Sequence, residues 1–231
     1  MIVLHKIIHL GFKKITIFGS TGLIGNLLLK KLINDNYFNS INVVSRKEIN
    51  LKSDKINQII NKKFSDDIIE SSVRGSEIVF SSIGTTQSRV NYNRIEYRKI
   101  DHDITIKIAE SCKKYKIQKF IYVSTAGANE NSKNFYTKLK GEIDSSVIKL
   151  NLISTIIYRP SLLLGTRKEK RFGEKIAQLV MPYFSNIMPN NYKPIYASSV
   201  AESMKNISKS NNKGLSILHY DDILKTSQNK N

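Results

Sequence analysis

A parallel, doubly wound α/β sheet in one domain is the fold class that the sequence predicts, and three observations predict it. Strand-like apolar runs alternate with helical stretches along most of the chain, the pattern of βαβ units. A β-branched and aromatic run at 14–18 ends in the turn Gly19-Ser20-Thr21-Gly22-Leu23-Ile24-Gly25, which opens straight into a helical pattern. The 231 residues are 40% hydrophobic and 24% charged, which suits a single large domain with a sizeable core.

The elements follow in order. Residues 14–18 read as a first strand and 23–33 as a helix with apolar residues at helical spacing. Residues 41–45 form a second strand, and 56–60 a weaker third, followed by a short helix over 66–73. The fourth strand, 77–83, is Ile-Val-Phe flanked by small polar residues. A long helix covers about 100–115, then a fifth strand 119–124, a helix 135–150 and a sixth strand 153–158. All four prolines come late, at Pro160, Pro182, Pro189 and Pro194. There the alternation gives way to loops, one helical stretch at 172–184 and a strand-like 215–220. The domain is expected over 12–225, with about 160–215 as a small C-terminal substrate-covering portion and 1–11 as an N-terminal extension.

Composition excludes several classes. The formal charge of +18 raises nucleic-acid binding. The lysines, however, are spread along the chain among abundant Asn and Ile, with no long basic block and no aromatic RNA-binding signature. No specific nucleic-acid partner is expected. The densest run, Arg167-Lys168-Glu169-Lys170-Arg171, contains a glutamate and reads as a solvated loop or as a holder of an anionic substrate. The lone cysteine, Cys112, excludes an internal disulfide framework and fits a reducing compartment, so a cytoplasmic protein is expected. His5, His9, His102 and His219 are scattered, so no metal site is expected. No segment has the ~18 uninterrupted apolar residues of a membrane span. Residues 1–10 are broken by His5, Lys6 and His9 and lack the continuous core of a secretory signal.

In a doubly wound sheet, ligands bind beyond the carboxyl ends of the strands, so informative residues should follow strands. The turn from Gly19 to Gly25, spaced G-x-x-G-x-x-G, lets the backbone approach a pyrophosphate closely. The helix behind it offers free N–H groups and a positive dipole end. After the second strand stands Arg46, 21 residues beyond Gly25, with no acid beside it in Val44-Ser45-Arg46-Lys47. An acid there would accept from the ribose 2′-OH of NAD, whereas a cation favours the 2′-phosphate, so NADP(H) is the expected cofactor. After the fourth strand comes Ser81-Ser82-Ile83-Gly84-Thr85-Thr86, whose small residues let the backbone pack against the adenosine and its ribose. After the fifth come Ser124 and Thr125, whose hydroxyls could hold a substrate oxygen. Tyr136 and Lys140 follow at helical spacing, phenol and ammonium one turn apart on one face. An ammonium favours the phenolate form, which equips a tyrosine to exchange a proton with a carbonyl or alcohol. Tyr115 and Lys119 match the same spacing, but Lys119 begins a strand.

Six stretches together resemble the atypical or extended branch of the short-chain dehydrogenase/reductase superfamily. They are Ile17-Phe-Gly-Ser-Thr-Gly-Leu-Ile-Gly25, Ser45-Arg46, Ser82-Ile-Gly-Thr-Thr86, Tyr122-Val-Ser-Thr125, Asn134-Phe-Tyr-Thr-Lys-Leu-Lys-Gly-Glu142 and Tyr158-Arg-Pro-Ser-Leu-Leu-Leu-Gly165. Within it the chain is similar to the NAD(P)H-binding proteins of the Tat-interacting oxidoreductase group, over about residues 12–200. The resemblance implies a Rossmann-type fold with a seven-stranded sheet and NADPH in the cleft. It implies Tyr136 as acid/base, Lys140 on the nicotinamide ribose, and Thr125 rather than Ser124 as the substrate-holding hydroxyl. It places Arg159, Pro160 and Ser161 at the nicotinamide end. The expected function is an NADP(H)-dependent oxidoreductase acting on a small carbonyl or alcohol, as monomer or homodimer. Two alternatives stand beside it: an NADPH-binding regulatory protein with little catalysis, and a nucleotide-sugar epimerase or dehydratase.

Overall fold

The computed structural model describes residues 13–165 and 189–229. The expected N-terminal extension, the basic run at 167–171 and the helical stretch at 172–184 lie outside the described residues. Seven parallel strands form one sheet: β1 (Lys13–Phe18), β2 (Phe38–Ser45), β3 (Ile56–Ile60), β4 (Ile78–Ser81), β5 (Lys119–Val123), β6 (Ser154–Tyr158) and β9 (Gly214–Leu218), in the order β3-β2-β1-β4-β5-β6-β9. A second, two-stranded sheet pairs β7 (Leu163–Leu164) with β8 (Ile195–Tyr196).

Both faces of the large sheet are covered, so β4, β5 and β6 are buried along nearly their whole length. Ile15, Ile17, Val43 and Phe80 point to one face, where they meet Leu28, Leu29 and Leu32 of α1 (Leu23–Ile33) and Val200 and Met204 of α6 (Ala197–Ser208). Phe18, Val44, Val79 and Tyr122 point to the other face. There they pack with Ile69 of α2 (Asp66–Val73), Ile108 of α4 (Ile104–Lys114), and Leu139 and Val147 of α5 (Phe135–Lys149). Burying each such side chain contributes ~1.5–3 kcal/mol.

Three stretches differ from the sequence reading. The long helix begins earlier: α3 (Arg94–Arg98) runs through one π-helical turn (Lys99–Asp103) into α4. Asn93 caps it, accepting from the N–H groups of Ile95 at 2.9 Å and Glu96 at 3.1 Å. The stretch read as loop holds α6, whose buried side includes Ser203 and Asn206 as well as apolar residues. Those polar residues mask the helical stripe in the sequence; in the fold Ser203 is satisfied by Tyr158 at 2.9 Å. The last strand stops at Leu218, because His219 and Asp222 form a capping box that starts α7 (Tyr220–Gln228).

The strand order reverses between β1 and β4, and the crevice beyond their carboxyl ends is where such a sheet binds a ligand. The turn after β1 and the segment after β4 both open there.

Candidate functional site

The glycine turn is shaped by contact. Gly19 has φ +85°, and a Cβ on it would lie 2.6 Å from the carbonyl carbon of Ser82. A Cβ on Gly25 would lie 2.2 Å from the carbonyl oxygen of Gly19. These two glycines let β1, α1 and the segment after β4 meet at one point. Ser82 locks the junction, its Oγ donating to the carbonyls of Phe18 at 3.3 Å and Gly19 at 3.2 Å. No side chain caps the start of α1, whose N-cap is Gly22. Ser20 is fully buried, yet its Oγ has no partner among the described residues. An uncapped helix start, a backbone cradle that a methyl would fill and an orphaned hydroxyl fit the pyrophosphate of a dinucleotide.

A cavity of about 590 Å³ extends from this cradle. Gly19, Ser20, Thr21 and Gly22 line one wall and Ser82, Ile83 and Gly84 another. Leu23 and Ile24 belong to the first turn of α1, Leu23 half-buried and Ile24 buried. Arg46, exposed at the end of β2, lines the far side together with Lys62 and Lys63, which follow β3. The two lysines carry no motif in the sequence; the parallel pairing of β2 with β3 brings them beside Arg46. Phe64, left-handed at φ 49° and buried, lines the same wall.

The second half of the site stands on α5. Asn134 caps that helix, accepting from the N–H groups of Tyr136 at 3.0 Å and Thr137 at 3.2 Å, so Tyr136 is fixed in the first turn. Gly141 allows α5 to touch the loop after β5: a Cβ there would lie 2.2 Å from the carbonyl carbon of Asn129. Lys140 is buried, and its Nζ lies 2.8 Å from Oδ2 of Asp101. The approach is an ion pair without a well-directed hydrogen bond to Oδ2, while Oδ1 of Asp101 accepts from the N–H of Thr85 at 2.7 Å. Burial opposes the Lys140 ammonium, but the Asp101 carboxylate, with Tyr136 adding to it, outweighs burial and holds its pKa above the ordinary lysine value.

Sequence reasoning missed Asp101. Its signal was available: Tyr97, Asp101, Thr105, Ile108 and Cys112 form one buried helical stripe. An acid on such a stripe requires a buried cation. Tyr97 stands edge-on to Tyr136, with ring centroids 6.5 Å apart, and its hydroxyl donates to the carbonyl of Thr85 at 3.2 Å. Burial, with Asp101 second, pushes the Tyr97 phenol well above its ordinary range.

The remaining expected residues are distributed unevenly. Thr125 is half-buried beyond β5, whereas Ser124 is buried and its Oγ has no partner among the described residues. Arg159 is committed elsewhere: its Nε and Nη2 hold Oδ2 of Asp144 at 2.9 and 2.8 Å. Asp144 also accepts from the Tyr122 hydroxyl at 2.7 Å. Pro160 accepts from the N–H of Ala126 at 2.9 Å, and the Ser161 hydroxyl donates to the carbonyl of Lys193.

Fold and cradle together define a dinucleotide-binding α/β protein. The chain belongs to the NAD(P)H-binding family, whose pattern it matches over residues 19–171. It is 34% identical to the mitochondrial protein FMP52-1 of Scheffersomyces stipitis over 192 residues, covering 80% of this chain and 84% of the relative. It is 27% identical to HTATIP2 of Rattus norvegicus over 192 residues, covering 81% and 76%. Among solved structures it is similar to MoeE5 in complex with UDP-glucuronic acid and NAD, with TM-score 0.69 and 14% identity, covering 90% of this chain and 76% of that one. WbmH of Bordetella bronchiseptica in complex with NAD+ superposes with TM-score 0.70 and 10% identity, covering 90% and 76%. These likenesses establish the fold.

One expectation is corrected. FMP52 proteins similar to this chain, such as that of Debaryomyces hansenii at 36% identity over 158 residues, are mitochondrial, which overturns the cytoplasmic assignment. A single cysteine and a missing secretory core report on redox environment, and they do not separate one reducing compartment from another. Among the described residues no helix is long and apolar enough to cross a membrane.

Proposed function

We propose that the protein is an NADP(H)-dependent oxidoreductase that interconverts a small carbonyl compound and its alcohol, with Tyr136 as acid/base. The observation that supports this reading is the buried Lys140, one helical turn from Tyr136 on α5 and paired with Asp101, whose carboxylate lies beside Gly84 of the dinucleotide cavity. A cation buried at such cost, with its own carboxylate partner, has a role beyond solubility.

When bound, NADPH supplies the hydride. Gly19, Ser20, Thr21, Gly22, Leu23, Ile24 and Gly25 would hold its pyrophosphate, and Ser82, Ile83 and Gly84 would face its adenosine half. Lys140 would contact the nicotinamide ribose, and Pro160 and Ser161 would stand at that end of the cleft, next to Arg159, whose side chain is held by Asp144. The Thr125 hydroxyl donates to the substrate oxygen and orients it, with Ser124 behind it. The Tyr136 hydroxyl gives its proton to that oxygen as the carbonyl carbon becomes an alcohol carbon, and takes one back in the reverse direction. Lys140, held charged by Asp101, stabilises the tyrosinate left behind. Arg46 would pair with the 2′-phosphate, and Lys62 and Lys63 would reinforce it.

NADPH oxidation against a panel of aldehydes and ketones tests this reading. Tyr136→Phe should lower turnover by ~10²–10⁴-fold with NADPH affinity retained. Activity unchanged by Tyr136→Phe would refute it. Arg46→Asp should move the preference toward NADH. The nucleotide-sugar alternative is favoured by the likeness to MoeE5 and opposed by Arg46, Lys62 and Lys63 on the wall of the dinucleotide cavity. Purification with tightly held NAD would revive it.

A further inference from the structure

We propose that the cavity beside Tyr136 takes a neutral, flat aromatic carbonyl compound, gripped at its mouth by Tyr92. The inference rests on the reading of Tyr136 as proton donor and names the substrate class of that site.

A second cavity of about 390 Å³ is lined by Tyr136 and, among the described residues, by none of the glycine turn. Its size falls at the small end of the ~300–1,000 Å³ range of ligand sites, room for one or two rings. Three tyrosines, Tyr92, Tyr97 and Tyr136, line it with the hydroxyl and amide side chains of residues 85–88. No charged side chain lines it among the described residues. The contrast with the dinucleotide cavity is sharp, since Arg46, Lys62 and Lys63 all stand there. A carboxylate or phosphate entering the smaller cavity would meet no cation among the described residues that line it. A neutral ring gains three aromatic neighbours and keeps hydroxyl and amide partners for a polar substituent.

The wall is built as an aromatic one. Tyr97 meets Tyr136 edge-on at 81° and Phe135 edge-on at 82° with centroids 5.6 Å apart. The nearby Arg94 is turned onto the Phe135 face, 5.1 Å from its centroid.

Tyr92 is the informative member. It is 73% exposed, although a tyrosine ordinarily buries much of its ring. Asn91 and Tyr92 are both left-handed, at φ 49° and 59°. Two successive non-glycine residues in that region are strained, and such strain persists only where the surroundings impose it. Here the backbone imposes it: the N–H of Tyr92 donates to the carbonyl of Gln87 at 2.8 Å, and that of Asn93 to Val90 at 2.8 Å. The loop therefore presents an exposed aromatic ring on a fixed backbone, lining the same cavity as the proton donor. A planar ring entering between them would stack on Tyr92 and set its carbonyl against Tyr136.

The test uses the full chain with NADPH and four aldehydes: 2-naphthaldehyde, benzaldehyde, hexanal and 4-carboxybenzaldehyde. The two neutral aromatic aldehydes should be preferred over the other two by ~10-fold or more in kcat/KM. Tyr92→Ala should raise KM for them by ~10-fold with kcat and NADPH affinity unchanged, whereas Tyr92→Phe should behave as the parent. A second arm is independent of turnover: calorimetric binding of 2-naphthol in the presence of NADP+, to the parent, Tyr136→Phe and Tyr92→Ala. Binding that survives Tyr136→Phe and is lost in Tyr92→Ala upholds the cavity assignment even if no aldehyde is reduced, an outcome in which only the oxidoreductase reading fails. Aldehydes reduced without aromatic preference, with Tyr92→Ala indifferent, would overturn the proposal and leave that reading intact. No binding and no reduction would overturn both.

Discussion

Gly25 has no room for a methyl group: one would sit 2.2 Å from the Gly19 carbonyl oxygen and 2.5 Å from Ser82 Oγ. Gly25→Ala should therefore destabilise the fold by ~1–3 kcal/mol, read by urea unfolding, and also weaken NADPH binding, read by titration. A variant as tight and as stable as the parent would show that β1, α1 and β4 do not meet as described. Asp101 is the other decisive residue. Asp101→Asn keeps an acceptor for Thr85 N–H but leaves the Lys140 charge buried without its partner, at a cost of ~3–5 kcal/mol in unfolding free energy. Lys140 is the partner that sequence reasoning found from its spacing to Tyr136. Asp101 escaped because the pairing spans two helices that only the fold brings together.

The end of α6 is held from across the sheet. Lys119, buried at the start of β5, donates to the carbonyls of Ile207 at 3.2 Å, Ser208 at 2.9 Å and Ser210, a cation placed at a helix C-terminus. Burial first, and the neighbouring Lys13 second, push its pKa down to about 8. The unfolded chain, with an ordinary lysine pKa of ~10.4, binds more protons between those two values. Stability should accordingly rise with pH across that window, because dΔG/dpH follows the excess of protons on the unfolded chain. Lys119→Met should lose that slope and be less stable at neutral pH by ~1–3 kcal/mol, since three carbonyls lose their donor. Denaturant titrations at several pH values check both; a parallel pH dependence in parent and variant would exclude Lys119 as the source. The first six strands and helices α1, α2, α4 and α5 were legible because each joins apolar residues at strand or helix spacing to a clear break. Helix α6 was not, since its buried side carries Ser203 and Asn206, which become acceptable inside only once Tyr158 and α7 supply partners.

At the scale of the whole molecule, the net charge of +18 is spread widely, yet one wall of the cleft concentrates Arg46, Lys62 and Lys63. Binding of NADPH should therefore weaken with salt more steeply than binding of NADH, as the Debye length falls from ~10 Å at 0.1 M to ~3 Å at 1 M. Equal salt slopes would remove these three residues as the 2′-phosphate site. Saturating NADPH at ~100 times its Kd should also add ~2.7 kcal/mol to the unfolding free energy, visible as a raised Tm. The sequence by itself determined the doubly wound sheet, the glycine turn and the Tyr136–Lys140 pair, because strand and helix periodicity and turn chemistry are local properties. Only the tertiary structure decided which groups face them: Asp101 against Lys140, Lys62 and Lys63 beside Arg46, and Tyr92 across the cavity from Tyr136. Those juxtapositions depend on strand order and helix packing, and neither is written in the spacing of neighbouring residues.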